Sequence, residues 1–281
     1  MKKIIVPVDF STISSDALDF AIEFNAIVKG EILLLHVLEL PSYSFSAIGE
    51  MDLDHAVDHL NAKLIEGVHN RLNSWAKRVT DAKQIVKIRM KHGNPYQNIS
   101  KEIVEEKAKW IIMGSTGASG LSEVFIGSNA ERVIRHSECP VITIKGPTKI
   151  AEMKNMVFAS DLSEDQDWVA LKAKDVQEML GLNMHIVKVR TPHNFLSLAS
   201  ANKQLEKFAG RNHFEDSTLN SLEADYPDEG IVDFAEEVGA GIIVLGTHGK
   251  TGLGHIFGGS RAEDLANRST IPVMTFKIPF D

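Results

Sequence analysis

Short apolar runs rich in β-branched residues alternate with longer stretches of helical periodicity along the first half of the chain. The apolar runs predict strands at residues 3–8, 31–38, 86–90, 110–113 and 141–144. The periodic stretches predict helices at residues 17–28, 54–79 and 127–135 and a helix starting at Pro95, with Ser11 or Ser14 capping the first. Because the strands are apolar throughout, we expect a doubly wound α/β domain, a parallel sheet covered on both faces with right-handed crossovers.

The second half of the chain repeats the first at fixed spacings. The segment Gly114-Ser-Thr-Gly117 recurs as Gly246-Thr-His-Gly249, and residues 5–11 match residues 157–163. We therefore predict two tandem domains, residues 1–147 and 151–281, each with a five-stranded, mainly parallel sheet. Strands of the second domain are expected near residues 155–159, 184–189 and 242–246, with the long second helix shortened or rebuilt between residues 191 and 225. The Gly-Pro linker between the domains is short, which favours docked domains over flexibly joined ones.

Composition narrows the class of protein. The 281 residues are 43% hydrophobic and 24% charged, as in globular proteins, and no apolar run reaches the roughly 18 residues of a membrane-spanning helix. The net charge of −8 argues against a nucleic-acid partner. Cys139 is the only cysteine, which excludes an intramolecular disulfide and fits a reducing compartment. Without a signal-peptide pattern at the N-terminus, we expect a cytoplasmic protein that does not associate with membranes.

The glycine-rich loops carry the candidate chemistry. Gly114 and Gly246 each end the fourth strand of their half, and ligands of open parallel sheets bind beyond the carboxyl ends of the strands. In each half a Gly-Ser pair follows at the start of the next helix, where backbone N–H groups and the helix dipole favour phosphate. The alternative interpretation is a pair of turns whose glycines need positive φ. Two copies at the same spacing favour the binding interpretation.

The motif Gly-x-x-Gly, nine residues, then Gly-Ser, after the start Ile-Val-Pro-Val-Asp-Phe-Ser, resembles the universal stress protein family over essentially the whole chain. The resemblance implies two Rossmann-like, adenine nucleotide alpha hydrolase-like domains of the ATP-binding group, with ATP as ligand and Mg²⁺ beside it. It implies these binding residues in the first half: Pro7, Asp9, Val37, Gly114, Gly117, Gly127, Ser128 and Asn129. It implies these in the second half: Asp161, Val189, Gly246, Gly249, Gly259 and Ser260. The loop cations Lys250 and Arg261 are added as binding residues because positive charge helps to bind a triphosphate.

The resemblance also implies roles for these residues. The glycines and serines would wrap phosphate and ribose, the two aspartates would lie beside the adenosine, and the backbone of Val37 or Val189 would read adenine. The second half departs from the pattern at Ala159, where the first has Pro7, and at Lys188, where the first has His36. These departures put the adenine geometry of the second half in doubt.

Other residues offer weaker candidates. Loop cations such as Lys250 and Arg261 rank the second site above the first for affinity, unless they are solvated surface charges. His55 and His59 lie one helical turn apart, but a solvated helix face is the simpler interpretation and no metal site is assigned. Cys139 is interpreted as a half-buried small residue and not as a nucleophile.

Three functions follow from this pattern. The first is an ATP-binding, nucleotide-dependent regulator of a stress response, with a protein partner that the sequence does not identify. The second is a slow ATPase or a phosphoryl- or adenylyl-transfer enzyme that uses Asp9 or Asp161. The third is an interaction scaffold whose pockets are empty or hold a small or lipid-like ligand other than a nucleotide. The family's last strand is a dimerisation edge, so residues 140–144 and 272–276 are expected to pair the two halves within one chain. A homodimer of whole chains is also plausible.

Overall fold

The computed structural model describes residues 1–39, 53–115, 127–193, 196–248 and 259–279, with backbone alone for residues 53–61 and 259–261. The first half contains β1 (Lys3–Pro7), α1 (Thr12–Val28), β2 (Glu31–Leu38), α2 (Leu53–Asp81), β3 (Ile85–His92), α3 (Pro95–Glu105), β4 (Trp110–Gly114), α4 (Ser128–His136) and β5 (Val141–Ile144). The second half contains β6 (Asn155–Ala159), α5 (Asp167–Leu180), β7 (Asn183–Arg190), α6 (Leu198–Arg211), β8 (Ser217–Glu223), α7 (Pro227–Glu237), β9 (Ala240–Thr247), α8 (Gly259–Arg268) and β10 (Val273–Lys277).

All ten strands form one sheet in the order β3-β2-β1-β4-β5-β10-β9-β6-β7-β8. Within each half every pairing is parallel, which confirms the predicted doubly wound α/β class. The halves meet where β5 and β10 pair antiparallel, with Met274 opposite Ile142. We call this junction of β5 with β10 the seam. It is the edge pairing expected from the last strand of each half.

Helices cover both faces of the sheet, so the apolar strands are buried on both sides. One face carries α1, α2, α5 and α6, whose largest buried side chains are Phe20, Phe24 and Phe208. The other face carries α3, α4, α7 and α8 over residues such as Ile134 and Leu265. Full burial of such a side chain contributes about 1.5–3 kcal/mol, so these two layers supply the main stabilisation of the fold.

An ion pair joins the two halves across the seam. On α4 the Arg135 guanidinium donates from Nε to Oε1 of Glu263 at 2.7 Å and from Nη2 to Oε2 at 2.5 Å. Burial raises the pKa of the Glu263 carboxyl, and the hydrogen bonds and charge of Arg135 oppose that rise. Within the sheet, the Thr143 hydroxyl of β5 donates to the carbonyl oxygen of Val273 in β10 at 3.3 Å. The seam therefore has both sheet and side-chain contacts.

The second half differs from the first in its middle, as its polar sequence predicts. The helix α6 has 14 residues, whereas its counterpart α2 has 29. The strand β8 lies at the edge of the sheet, and its sequence STLNSLE is too polar to be identified from apolar runs. In the part of the chain that the structure describes, no helix combines the length and apolar character needed to cross a membrane.

Candidate functional site

A cavity of about 330 Å³ opens at the carboxyl ends of the strands in the first half. The seven described first-half residues of the predicted site all line it: Pro7, Asp9, Val37, Gly114, Gly127, Ser128 and Asn129. Gly117 lies outside the described residues. The end of β1, the end of β2, the end of β4 and the start of α4 thus meet around one space. The volume is at the lower end of the range of small-ligand sites.

The turn after β1 is held by Asp9. Its Oδ1 accepts hydrogen bonds from the backbone N–H of Ser11 at 3.0 Å and from the Ser11 hydroxyl at 2.6 Å. The same hydroxyl oxygen accepts from the N–H of Ser14 at 3.1 Å and caps α1. Phe10 between them is left-handed, at a φ of 64°. These contacts show that Asp9 holds the turn between β1 and α1.

Two glycines bring the backbone close to the cavity. A Cβ on Gly114 would lie 2.8 Å from Cγ2 of Ile13, so only glycine lets β4 end this close to α1. Gly127 precedes α4 with a φ of −67°, and its N–H donates to the carbonyl oxygen of Ser115 at 2.7 Å. Neither glycine has the positive φ that the turn interpretation requires. Close approach, and not left-handed backbone, explains glycine at position 114.

Sequence reasoning missed residues that also line the cavity, among them Ser14, Glu39 and Ser115. Ser115 is 1% exposed, and its hydroxyl oxygen has no hydrogen-bond partner. A buried hydroxyl without a partner costs free energy unless a ligand or water supplies one. The signal available in the sequence was its place, directly after the glycine that ends β4.

His36 contacts the turn that follows β1. Its Nδ1 lies 2.7 Å from the carbonyl oxygen of Val8, and its ring lies 4.6 Å from the ring of Phe10. The Arg71 guanidinium covers that phenylalanine at 4.2 Å from the ring centre. Burial lowers the pKa of His36, which favours the neutral imidazole.

The second half repeats this turn, but a different side chain contacts it. Asp161 Oδ1 accepts from the N–H of Ser163 at 2.9 Å, and Leu162 is left-handed at a φ of 67°. The buried Lys188 donates from Nζ to the carbonyl oxygen of Asp161 at 2.9 Å, where the first half uses His36. Burial lowers the pKa of this lysine.

The remaining predicted residues of the second half are placed as follows. Val189 at the end of β7 and Gly246 in β9 are buried. Gly259 begins α8, and Ser260 and Arg261 follow with only their backbone described. Gly249 and Lys250 lie outside the described residues, so the ranking based on loop cations stays a prediction.

The weaker candidates gain nothing from the structure. Cys139 is buried beside Ser137, and burial raises the pKa of its thiol to about 11, which makes it a poor nucleophile. The side chains of His55 and His59 lie outside the described set. Among the residues described, no group of three or more His, Cys, Asp or Glu side chains is placed to hold a metal ion.

Comparison with known proteins identifies the same family in each case. The model of the universal stress protein family matches the chain twice, over residues 1–145 and 152–277. Universal stress protein Slr1230 of Synechocystis is 23% identical over 295 residues, which cover 99% of this chain and 100% of that protein. Universal stress protein MJ0577 of Methanocaldococcus jannaschii is 33% identical over 153 residues, 51% of this chain and 94% of that protein.

A solved structure of the family shows the same fold over almost the whole chain. A universal stress protein from Archaeoglobus fulgidus superposes with a TM-score of 0.73 at 24% identity, covering 99% of this chain and 98% of that one. Another member was crystallised in complex with cAMP and covers 45% of this chain and 98% of its own, at 20% identity and a TM-score of 0.38.

Proposed function

Because the chain belongs to the universal stress protein family, we propose that it binds an adenine nucleotide, ATP first, in the cavity of its first half. In this proposal the bound nucleotide changes the surface that a protein partner meets, so the protein acts as a regulator of a stress response. Residence in the cytoplasm is part of the same proposal.

The observation that carries the proposal is the convergence around one cavity. Seven residues chosen from the motif line it, although they come from segments more than 100 positions apart in the chain. The first turn of α4 faces the cavity with Ser128 and Asn129, and backbone N–H groups at a helix start favour phosphate. The buried hydroxyl of Ser115 offers a further hydrogen bond. These residues fit a nucleotide, with phosphate near α4 and adenine near the end of β2.

A slow ATPase remains the second candidate, since two carboxylates, Asp9 and Glu39, line the cavity. In that role a carboxylate would orient water or Mg²⁺ beside the phosphates. Asp9 already accepts two hydrogen bonds from Ser11, which favours a structural role for it. Multiple-turnover phosphate release that disappears in Asp9→Asn, with nucleotide affinity retained, would favour the enzyme over the regulator.

The test is calorimetric titration of nucleotide-stripped protein with ATP, ADP and cAMP in the presence of Mg²⁺. Gly127→Glu puts a carboxylate at the start of α4, where phosphate is expected, and should weaken ATP binding at least about tenfold. Gly210→Glu is the matched control, because it adds the same charge at an exposed glycine of α6 with no atom near its Cβ position. Wild-type protein that binds none of the three nucleotides would refute the proposal.

A further inference from the structure

We propose that β8, the edge strand of the second half, binds an extended segment of a partner protein as an added strand of the sheet. The segment has an uncharged centre and basic residues at both ends. This inference goes beyond the proposed nucleotide site and does not depend on it. It follows from a comparison of the two edge strands, β3 and β8, and from the charges at the ends of β8.

The edge strand β3 carries charges of the kind that protect natural edge strands from pairing with another chain. Lys87, Arg89 and Lys91 alternate along one of its faces. The Nζ of Lys87 lies 3.0 Å from Oε1 of Glu31. The cations of Arg89 and Lys91 lie 2.6 and 2.9 Å from the carboxylate oxygens of the buried Glu102. A further strand would desolvate these charges, so β3 is a protected edge.

The edge strand β8 has no such protection. Residues 217–222, Ser-Thr-Leu-Asn-Ser-Leu, are all uncharged and include neither proline nor glycine. An edge strand leaves alternate backbone N–H and C=O groups without a partner in its sheet, and another strand can pair with them. On one face of β8 the Leu219 side chain is 38% exposed, whereas Ile88 at the matching position of β3 is packed against the core. An added strand would cover this leucine.

Both ends of β8 are acidic. Glu215 and Asp216 precede the strand, Glu223 is its last residue, and Asp225 follows. All four residues are exposed.

One cation lies near each end and leaves a carboxylate in excess there. At the carboxyl end, Nη2 of Arg190 lies 2.9 Å from Oε2 of Glu223. Near the amino end, Nζ of Lys174 donates to the carbonyl oxygen of His213 at 2.9 Å. Because the carboxylates outnumber the cations at both ends, lysine or arginine at each end of a partner segment complements the charge.

The same charges disfavour a second copy of this chain as the occupant. In a two-fold dimer the two β8 strands would pair antiparallel, with Asp216 of one copy beside Glu223 and Asp225 of the other. Like charges that face each other across paired strands are destabilising. A segment with basic residues at both ends meets a carboxylate at each end in either strand direction.

Fluorescence anisotropy with a labelled peptide tests the proposal on the full chain. The probe is Lys-Arg-Thr-Val-Thr-Val-Thr-Lys-Arg. One control peptide has glutamate in place of every basic residue, and the other has Pro-Pro in place of the central Val-Thr. We expect the probe to bind and each control to bind at least about tenfold more weakly, since the first lacks complementary charge and the second lacks N–H groups for sheet pairing. Equal binding of the proline peptide would overturn the proposal, because charge alone would then explain the affinity.

A matched pair of variants locates the site. Leu219→Lys puts a cation in the middle of β8 and should weaken binding of the probe at least about tenfold. Leu64→Lys in α2 adds the same charge at a leucine of similar exposure, 43%, and should bind the probe as wild type does. Equal affinity in the two variants would overturn the assignment to β8.

Hydrogen–deuterium exchange on the wild-type chain gives an answer that does not depend on the folding of a variant. The probe should slow exchange of amides in residues 217–223 and leave those in residues 85–92 unchanged. Protection that spares residues 217–223 would overturn the proposal. A wild-type dimer in sedimentation that Leu219→Lys converts to monomer would also overturn it, because a second copy would then occupy β8. None of these outcomes bears on the ATP titration, which tests the nucleotide site separately.

Discussion

Replacing Arg135 with methionine removes the cation of the ion pair that joins α4 to α8 across the seam. The Glu263 side chain is only 7% exposed, and the arginine side chain is 32% exposed. Methionine keeps much of the apolar stem of the arginine, so the main change is that a buried carboxylate loses its two hydrogen bonds.

The burial of the pair sets the size of the expected loss. Removing one partner of a fully buried ion pair costs about 3–5 kcal/mol, and an exposed pair contributes about 0–1 kcal/mol. Because a third of the arginine reaches solvent, we expect Arg135→Met to lower the free energy of unfolding by about 2 kcal/mol near neutral pH. Removing both charges in Arg135→Met with Glu263→Met leaves no buried charge, so that variant should lie within about 1 kcal/mol of wild type.

The deficit should also depend on pH, and the sign follows from Glu263. Without Arg135 the causes that lower the pKa of this carboxyl are lost, and burial and the neighbouring Glu131 both raise it. The native state of the variant then binds a proton more readily than the unfolded state. Its stability relative to wild type should therefore recover as the pH falls from about 7 to about 5.

Urea denaturation followed by far-UV circular dichroism measures these differences. Lys101→Met is the control, since it breaks an exposed pair with Glu105 and should change stability by less than about 0.5 kcal/mol. The reasoning is refuted if Arg135→Met costs no more than this control. It is also refuted if the double variant is as unstable as Arg135→Met at every pH.

Three further predictions concern single residues. Burial lowers the pKa of His36 below its usual value of 6.5, so the unfolded state takes up a proton at a higher pH than the native state does. The melting temperature should therefore fall as the pH drops below 6.5, and the fall should be smaller in His36→Gln. The Cys139 thiol, with its pKa raised to about 11, should react slowly with a disulfide reagent until denaturant is added, and fast reaction in native protein would contradict its burial. A Cβ on Gly30 would lie 2.4 Å from the carbonyl oxygen of Lys2, so Gly30→Ala should lower the free energy of unfolding by more than about 1 kcal/mol in chemical denaturation. Gly67 lies in α2 with open space around its Cβ position, so Gly67→Ala should raise the free energy of unfolding by up to about 1 kcal/mol.

The fold could be predicted because burial on both faces leaves a strong apolar signal. The strands β2 and β5 begin and end at the predicted residues, and α3 begins at Pro95 as expected. The strand β8 could not be found in this way because its sequence is polar. The strand β3 lies at the opposite edge of the sheet and was predicted, since it keeps the apolar residues Ile85, Val86, Ile88 and Met90.

The candidate site was predictable to the extent that its residues sit at strand ends. Positions identified by a local motif, such as Gly114 and Gly127, can be assigned to the site once the order of the strands is known. The packing of Gln166 and Ile278 near Gly246 was not predictable, because these side chains come from segments about 80 and 30 residues away in the chain. No local pattern distinguishes a glycine beside a cavity from one beneath a glutamine side chain.

Because the two halves differ in sequence, the two long edges of the sheet carry different residues. Strands of the first half end where strands of the second half begin, so the rim around the cavity mouth continues into the amino ends of β7 and β8. A groove there is lined by residues of the second half that include Lys174, Gly181 and Phe214. Any molecule that contacted the whole of this edge would meet both repeats, the first beside its cavity and the second at its helix-to-strand turns. In a dimer of two identical halves, the two long edges of the sheet would be the same. In the fused chain the two edges differ, so each surface along an edge occurs only once.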